Sequence, residues 1–287
     1  MWFMVKYPSL VEYRRAISKP NVAFAHQDFL ARGKIFSDAR GIPEMSSGGF
    51  ACVARIQSDP ENLWVLRMFT KPQTHLKERY KSVNDLLPKN WLLEAYFIED
   101  GIRINGYEES VPIVVIRFSD GLTLRKFLVD ACVRSDTKLI EKLHQSFLYM
   151  GSEIKLSGLV HGDLSPDNLI VTDNHEMQIR LIDYDNCWHP NCGQLTSNVG
   201  ESALQAPKKS LIMDASYDDF SFALYNAVLG LLAIEPKWGI DDDLYEQQLL
   251  VSQVDLANPE TSAIMSRIKS LLPNSYIEIL DLYTACI

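Results

Sequence analysis

One stretch of the sequence, residues 161–185, places three oxygen-bearing side chains around two short apolar runs. It reads HGDLSPDNLIVTDNHEMQIRLIDYD, with Asp163 five positions ahead of Asn168 and an apolar run directly after Asn168. A polar turn and a second apolar run follow, and Asp183 comes at once after that run. This alternation predicts a β-hairpin. The hairpin would bring Asp163, Asn168 and Asp183 to one edge, where they could hold magnesium ions against a triphosphate and orient a hydroxyl group for attack.

The same stretch has a simpler interpretation in its first half. Residues 165–168, Ser-Pro-Asp-Asn, are ordinary turn residues that need no catalytic role. That interpretation explains neither Asp163, which precedes the turn, nor Asp183, which follows the second strand of the hairpin. The two features together therefore favour a nucleotide site.

The stretch resembles the catalytic loop, H-R-D-x-x-x-x-N, and the metal-binding segment, D-F-G, of the protein-kinase-like superfamily. The resemblance implies that Asp163 is the catalytic base and that Asn168 and Asp183 bind Mg²⁺. It also implies an α+β, two-lobed protein-kinase-like fold, with a small antiparallel-sheet N-lobe over residues 1–119 and a mainly helical C-lobe over residues 120–287.

Three residues depart from this pattern. Gly162 stands where many protein kinases have arginine, and Ser165 replaces a lysine that often helps to neutralise the γ-phosphate. Asp185 replaces the glycine of D-F-G, and it could either contact a second metal ion or cap a turn. The H-G-D sequence also occurs in small-molecule phosphotransferases.

An earlier stretch, residues 46–53, resembles the glycine-rich loop that covers the phosphates in kinases. It reads SSGGFACV, so that Gly48, Phe50 and Val53 match the pattern while serine and alanine replace its first and third glycines. The resemblance assigns nucleotide binding to Gly48, Gly49, Phe50 and Val53, because glycines let the backbone approach phosphates closely. The alternative is a Gly-Gly hairpin turn between two strands.

Arg67 lies fourteen residues after Val53, in the second of two predicted strands. Kinases carry there a lysine that contacts the α- and β-phosphates, and the planar guanidinium of arginine has a different reach. Glu78 is the candidate to pair with Arg67. The alternatives are a surface arginine and an exposed helix glutamate. Apolar residues at helical spacing predict the helix that carries Glu78: Leu76, Tyr80, Val83 and Leu87.

Two β-rich runs, residues 91–98 and 111–118, are predicted around turns at 99–101 and 105–106. By the resemblance, Ile116 is the gatekeeper residue beside the nucleotide, and Val65 is a further contact. The backbone of three residues would bind the adenine edge: Arg117, Phe118 and Ser119.

The second half of the chain is predicted to be helical. Residues 137–157 carry an apolar stripe, and residues 222–234 are apolar all round, as in a fully buried helix. The stripe comprises Leu139, Leu143, Phe147, Met150 and Ile154. Residues 200–207 resemble the kinase segment G-T-P-E-Y-M-A-P, with Lys208 in place of the following glutamate. Residues 218–223, DDFSFA, resemble the kinase segment D-x-W-S-x-G. The resemblance implies that Asp218 accepts hydrogen bonds from the catalytic-loop backbone, and the alternative is that it caps its own helix.

Composition limits the class of partner. Lys and Arg total 28 against 37 Asp and Glu, a net charge of −9 that disfavours a nucleic-acid or anionic membrane surface. The longest apolar run, residues 227–234, is far shorter than the about 20 residues of a transmembrane helix, and the first residues do not predict a signal peptide. A cytoplasmic protein is therefore expected. Cys187, His189 and Cys192 lack a second half-site for zinc, which favours ordinary thiols.

Three stretches together resemble one bacterial branch of kinase-like proteins: the opening YPSLVEYRRAISKPNVAF, the strand VLRMFTKP followed by LKERY, and HGDLSPDNLI with LIDYD. Its members are often encoded beside a von Willebrand-type domain protein and a metal-dependent phosphatase, in tellurite-resistance-type gene clusters, and an arginine is usual at the position of Arg67. The resemblance implies a Ser/Thr protein kinase that uses ATP and Mg²⁺ on a protein substrate, including itself. Two alternatives stay open: a pseudokinase that binds nucleotide as a scaffold, and a small-molecule phosphotransferase.

Overall fold

A computed structural model of the 287-residue chain describes residues 7–174, 176–193, 213–240 and 249–285. Three stretches on which sequence-based expectations fall lie outside these ranges: residues 1–6, residues 200–208 and Cys286. The chain divides into two compact units. Unit 1 comprises Met1–Asn84 and Leu93–Ser119, and unit 2 comprises Asp85–Leu92 and Asp120–Ile287.

The structure is α+β, with antiparallel sheets and several helices. The helices are α1 (Leu10–Ile17), α2 (Pro20–Ala23), α3 (Asp28–Ala31), α4 (Leu76–Leu86), α5 (Leu124–Val133), α6 (Thr137–Ser157), α7 (Asp219–Ile234), α8 (Gln253–Ala257), α9 (Ala263–Leu271) and α10 (Pro273–Ala285). The strands are β1 (Lys34–Ile35), β2 (Met45–Ser47), β3 (Ala51–Asp59), β4 (Asn62–Phe69), β5 (Ala95–Ile102), β6 (Val111–Arg117), β7 (Leu122–Thr123), β8 (Leu169–Thr172) and β9 (Gln178–Leu181). Short 3₁₀ turns lie at Tyr184–Asn186, Pro190–Cys192 and Pro236–Gly239.

Unit 1 is built on an antiparallel sheet in the order β1-β3-β4-β6-β5, with β2 also paired to β3. Successive strand residues point to opposite faces, so β3 and β4 each bury one set of side chains. That set packs on the N-terminal helices in one core, which includes Tyr13, Ile17, Phe24, Leu30, Cys52, Ala54, Ile56, Leu66 and Met68. The hydroxyl group of Tyr13 donates to the backbone oxygen of Phe69 at 2.7 Å, which fastens α1 to the end of β4.

Unit 2 is mainly helical. Helix α6 spans the predicted residues, and its buried stripe is Ile140, Leu143, Phe147, Met150 and Ile154. The stripe therefore begins at Ile140 rather than at Leu139, which is only half-buried. Helix α7 is buried on nearly all sides, as its uniform apolar sequence predicts. A small sheet in the order β7-β8-β9 completes the unit.

Two sequence-based boundaries in unit 1 were wrong. Residues 99–101 do not form a turn but lie inside β5, at a shift in register between Ile98 and Ile102. The second predicted turn, at residues 105–106, is present, and Gly106 takes a positive φ of 88° there. The predicted strand over 91–98 begins only at Ala95, because Trp91 and Leu92 belong to unit 2.

Among the described residues, none of the helices is sufficiently long and apolar to cross a membrane.

Candidate functional site

The predicted hairpin is present in unit 2. Strand β8 pairs with β9 in antiparallel register, with Leu169 opposite Leu181, and both of these side chains are fully buried. The N–H group of Ile182 donates to the backbone oxygen of Asn168 at 2.9 Å, so the ladder extends by one bond beyond the strands. This bond places Asn168 and Asp183 at the same end of the hairpin.

Asn168 also fixes Asp163. Its side-chain Nδ2 donates to the backbone oxygen of Asp163 at 2.9 Å and to Oδ2 of the Asp163 carboxylate at 3.0 Å. The loop between them closes through two backbone bonds, from Ser165 N–H to Asp163 O at 2.8 Å and from Asn168 N–H to Ser165 O at 2.9 Å. The carboxylate of Asp163 is therefore held beside Asn168 by the loop's own bonds.

Asp218, at the start of α7, holds the beginning of this loop. Its carboxylate accepts the N–H of His161 at 2.6 Å and the N–H of Gly162 at 3.1 Å. The alternative of a helix cap is not seen, since the Asp218 side chain makes no cap bond to α7. The predicted bond from Asp218 to the backbone of this loop is thus confirmed. Burial raises the pKa of Asp218, while His161 and the two N–H bonds act in the opposite direction.

His161 anchors the loop to the hairpin from the other side. Its Nε2 donates to the backbone oxygen of Ile182 at 2.9 Å, and a carbonyl oxygen can only accept, so Nε2 carries the proton. The ring is fully buried, and this burial lowers the pKa of His161. A neutral imidazole is therefore a structural link between loop and hairpin.

The backbone conformation and the close neighbours of Gly162 explain why arginine does not occupy this position. Its φ is +75°, a region that favours glycine. A Cβ atom there would lie 2.6 Å from the backbone oxygen of Asn186 and 2.6 Å from Cε of Met213. Any larger side chain would force the loop apart, so the glycine is required by the packing of unit 2.

Asp183 also has a left-handed backbone, with φ 65° and ψ 66°. The 3₁₀ turn that follows buries Tyr184 and Asp185. The Tyr184 hydroxyl group donates to the backbone oxygen of Leu181 at 2.5 Å, and its ring lies edge-on to that of His161 at 6.1 Å. Tyr184, which stands where D-F-G has phenylalanine, thus helps to set the backbone of Asp183.

Two further residues hold the loop 161–168, and neither was expected from the sequence. The buried hydroxyl group of Tyr225 on α7 donates to the backbone oxygen of Leu164 at 2.9 Å. Arg125 on α5 forms an ion pair with Asp167 at 3.0 Å. Together with Asp218, these contacts attach the loop to both α5 and α7.

Arg180 on β9 binds the segment Asp85–Leu92 of the same unit. Its Nη1 donates to the backbone oxygens of Lys89 at 2.6 Å, Asn90 at 2.5 Å and Leu92 at 3.3 Å. The N–H of Leu181 donates to the backbone oxygen of Trp91 at 2.9 Å. Strand β9 of the hairpin is therefore hydrogen-bonded to a segment that lies about ninety residues earlier in the chain.

In unit 1, residues 46–53 comprise the end of β2, a turn at residues 48–50 and the start of β3. The N–H of Gly48 donates to the backbone oxygen of Ala51 at 2.8 Å. Neither Gly48 nor Gly49 has a positive φ. A Cβ atom at Gly48 would come no closer than 3.8 Å to a neighbour, and one at Gly49 would meet nothing within 4 Å. The conformation of the turn does not require either glycine.

The exposed ring of Phe50 stands at the tip of this turn. The ammonium group of Lys71 lies 5.0 Å from the ring centroid, a cation–π contact, and the N–H of Thr70 donates to the Phe50 backbone oxygen at 2.8 Å. Lys71 is thus a second cation close to the turn, which sequence reasoning missed because it follows the strand rather than lying within it.

The nucleotide contacts predicted on the strands share one face of the sheet. Arg67 pairs with Val53 and with Val114, and Val65 pairs with Ile116. Directly opposed residues lie on the same face, and this face is opposite to the one that packs on the N-terminal helices. Arg67 is half-buried rather than on the open surface, with its guanidinium carbon 6.0 Å from the ring of Phe69. A depression of about 370 Å³ is lined by Ser46, Val53 and Val65 among others.

Glu78 does not form the expected ion pair with Arg67. It is exposed in the first turn of α4, and both residues lie among the described parts of unit 1. The buried face of α4 runs through Leu76, Arg79, Tyr80 and Val83, and position 78 lies off that face. Arg79, only 1% exposed, is the buried charged residue of this helix instead.

The predicted adenine-binding backbone is partly engaged. The N–H of Arg117 donates to the Glu94 backbone oxygen at 2.7 Å, and the N–H of Phe118 donates to that of Leu63 at 2.9 Å. Neither donor is available to an adenine edge, which leaves Ser119 as the donor in that segment. The Arg117 guanidinium lies 5.1 Å from the Trp64 ring, on the face that carries the N-terminal helices.

The donor set at the end of the hairpin fits a magnesium ion that is shared with phosphate. Within the described ranges, three or more His, Cys, Asp or Glu side chains nowhere come together to hold a metal ion, and Cys187, His189 and Cys192 form no such group. Mg²⁺ commonly takes one or two carboxylates and completes its shell with substrate phosphates and water. Asp183 offers a carboxylate, and the fixed Nδ2 of Asn168 leaves its Oδ1 as the atom for a cation.

A scan of the chain against protein-family models gave no match, and a search among curated protein sequences also gave none.

Proposed function

We propose that the protein is an ATP-dependent Ser/Thr protein kinase, which transfers the γ-phosphoryl group of Mg-ATP to a hydroxyl group of a protein substrate or of itself. The observation that carries this proposal is the pair of hydrogen bonds from the Asn168 amide to Asp163, at 2.9 and 3.0 Å. Asn168 begins a hairpin whose second strand leads into Asp183. A carboxylate base and two oxygen ligands in this order are what phosphoryl transfer requires.

In this reaction, Asp163 accepts the proton of the acceptor hydroxyl group. The oxygen of that hydroxyl group forms a bond to the γ-phosphorus, and the bond from the γ-phosphorus to the β,γ-bridging oxygen breaks to release ADP. Mg²⁺ supplies neutralisation of the phosphate charge when it is held by Asn168 and Asp183. Asp218 and Tyr225 keep the loop in place and take no part in the proton transfer.

We infer from the same features a two-lobed kinase-like fold, with unit 1 as the N-lobe and unit 2 as the C-lobe. An antiparallel sheet with α4 inserted between β4 and β5, and a mainly helical second unit, support it. The composition and the apolar runs of the sequence suggest a cytoplasmic location. The resemblance adds a von Willebrand-type domain protein and a metal-dependent phosphatase as candidate partners.

One observation favours a second function, that of a nucleotide-binding pseudokinase. Glu78 is exposed and does not pair with Arg67, whereas the corresponding pair is in place in active protein kinases. In such a scaffold, Arg67 would bind phosphate without supporting transfer. The variants Arg67→Ala and Glu78→Ala separate the two functions. In a kinase that uses the pair, both variants lower the rate of phosphoryl transfer. In a scaffold, only Arg67→Ala lowers the affinity for nucleotide.

The deciding experiment is incubation with ATP labelled on the γ-phosphate and with Mg²⁺, in the presence of generic protein substrates. We expect label in protein, and its loss in Asp163→Ala. The matched control is Asp173→Ala, which removes an exposed carboxylate at the turn of the same hairpin and should leave labelling unchanged. Bound ATP without any labelled protein would establish the scaffold. ATP consumption only with small hydroxyl compounds would establish a small-molecule phosphotransferase.

A further inference from the structure

A groove of about 680 Å³ crosses the helices of unit 2, and its lining includes no residue of the catalytic loop or the hairpin. Its walls come from α6 and α10, and its floor comes from α6 and α7. Phe147, Phe222 and Ala223 form an apolar floor, in which the Phe147 and Phe222 rings lie 5.8 Å apart. The volume is that of a pocket able to take several side chains.

Apolar side chains continue from the floor onto the open walls. Leu148 on α6 is 39% exposed and Ile277 on α10 is 55% exposed, and both line the groove. Leu156 lies two helical turns beyond Leu148, on the same face of α6, and is 83% exposed. Exposed apolar side chains on both walls of a groove with an apolar floor are typical of an interaction site.

The charges on the rim are acidic. Glu278 and Asp281 stand on α10 beside Ile277, and neither forms an ion pair with any residue in the described ranges. The cation of the rim, Lys155, is already paired with Asp219 at 3.0 Å. The groove therefore presents two uncompensated carboxylates next to an apolar floor.

We propose that this groove docks a basic amphipathic helix of a partner protein. An amphipathic helix places its apolar face in such a groove through side chains at i, i+3, i+4 and i+7. Lysine or arginine residues at the border of that face would meet Glu278 and Asp281. A second copy of this chain is a poor occupant, because two molecules of net charge −9 repel each other.

The test uses the full chain and a fluorescein-labelled synthetic peptide of about 14 residues, roughly four helical turns, with leucine on one face and lysine on the other. Fluorescence anisotropy measures its binding at low and physiological ionic strength. The first variant, Glu278→Lys/Asp281→Lys, reverses the rim charge and should weaken binding by about tenfold or more. The second, Ser152→Trp, places a bulky side chain at an exposed position in the groove and should weaken binding without changing charge.

The matched control is Glu108→Lys/Glu109→Lys, which makes the same change in net charge at two exposed residues of unit 1. We expect this control to bind the peptide as the unchanged protein does, and we expect a peptide with glutamate in place of lysine not to bind. Equal weakening by both double variants would show only general attraction to an acidic protein and would overturn the proposal. Unchanged affinity in Ser152→Trp, with the thermal transition preserved, would overturn it as well. Phosphoryl transfer need not be measured, so the outcome is independent of the proposed activity.

Discussion

The side-chain amide of Asn168 bonds twice to Asp163, at 2.9 Å to the backbone oxygen and at 3.0 Å to the carboxylate. One amide thereby fixes both the turn of the loop and the direction of the carboxylate. It also orients its own Oδ1, so that the candidate base and one candidate metal ligand are positioned by the same pair of bonds. A substitution at Asn168 would disturb both, so separate tests of base and metal need changes at Asp163 and Asp183.

At Asp183, the charge of a candidate metal ligand can be removed without straining the backbone. Its φ of 65° is tolerated by asparagine but costs alanine about 1 kcal/mol. We expect Asp183→Asn to abolish Mg²⁺-dependent labelling while the protein keeps a cooperative urea transition. Asp183→Ala should lose the same activity and, in addition, some stability. Full activity in Asp183→Asn would show that metal binding is assigned to the wrong residue.

Gly48 and Gly49 should matter to nucleotide binding and not to folding. Neither has a positive φ, and an added methyl group would meet no close neighbour at either. We expect Gly48→Ala/Gly49→Ala to change stability by less than about 0.5 kcal/mol. If phosphates approach this backbone, the affinity for a fluorescent ATP analogue should fall about tenfold. Unchanged affinity would reduce the turn to a simple hairpin connection.

Gly162 should be sensitive even to alanine. The positive φ and the contact of 2.6 Å to the Asn186 backbone oxygen together predict a loss of about 3 kcal/mol in the free energy of unfolding. Gly41 is the matched control, since its φ of +74° is nearly the same and its surroundings are open. We expect Gly41→Ala to cost about 1 kcal/mol, from backbone strain alone. Equal costs at both positions would mean that the loop moves aside.

Arg180 should contribute to stability out of proportion to its surface position. Removing its bonds to three carbonyl oxygens in Arg180→Ala is expected to cost about 2 kcal/mol, because hydrogen bonds to charged groups are among the strong ones. Lys142 on α6 bonds to the turn of the same hairpin through exposed contacts. Lys142→Ala should therefore change the urea midpoint little. The reverse order of the two effects would contradict this account.

Glu235 should stabilise unit 2 in a pH-dependent way. Hydrogen bonds from Arg267 and Trp238 lower the pKa of Glu235 to about 2, from an ordinary value of 4.5. Because the folded-state pKa is the lower one, the contribution is complete above pH 4.5 and is lost as the pH falls toward 2. We expect the thermal midpoints of the unchanged protein and Glu235→Gln to differ at pH 6 and to converge on acidification. A constant difference would place the effect in packing rather than in charge.

Local patterns accounted for most elements near the candidate site. The hairpin β8–β9, the helix α6 and the buried helix α7 each follow from the period of their own apolar residues and from the turn residues between them. The bonds of Asp218 to the loop backbone were also predicted, but from the resemblance of residues 218–223 to a kinase segment rather than from a local pattern.

The misses have a common origin in contacts that are remote along the chain. Residues 99–101 look like a turn, yet pairing with β6 holds them in an extended strand with a shifted register. Glu78 was chosen for its charge, whereas the packing of α4 selects Arg79 and Tyr80 for burial. The bonds of Arg180 span about ninety residues, a separation at which no periodicity in the sequence gives a signal.

The placement of Asp85–Leu92 in unit 2 has a practical consequence for dissecting this protein. A fragment that starts at Asp120 would lack Trp91 and the three carbonyl oxygens that receive the Arg180 guanidinium. A fragment that stops at Ser119 would carry that segment without its binding surface. Neither half obtained by one cut is a complete folding unit, so truncation phenotypes at this boundary would report damaged packing rather than the separate activities of two modules.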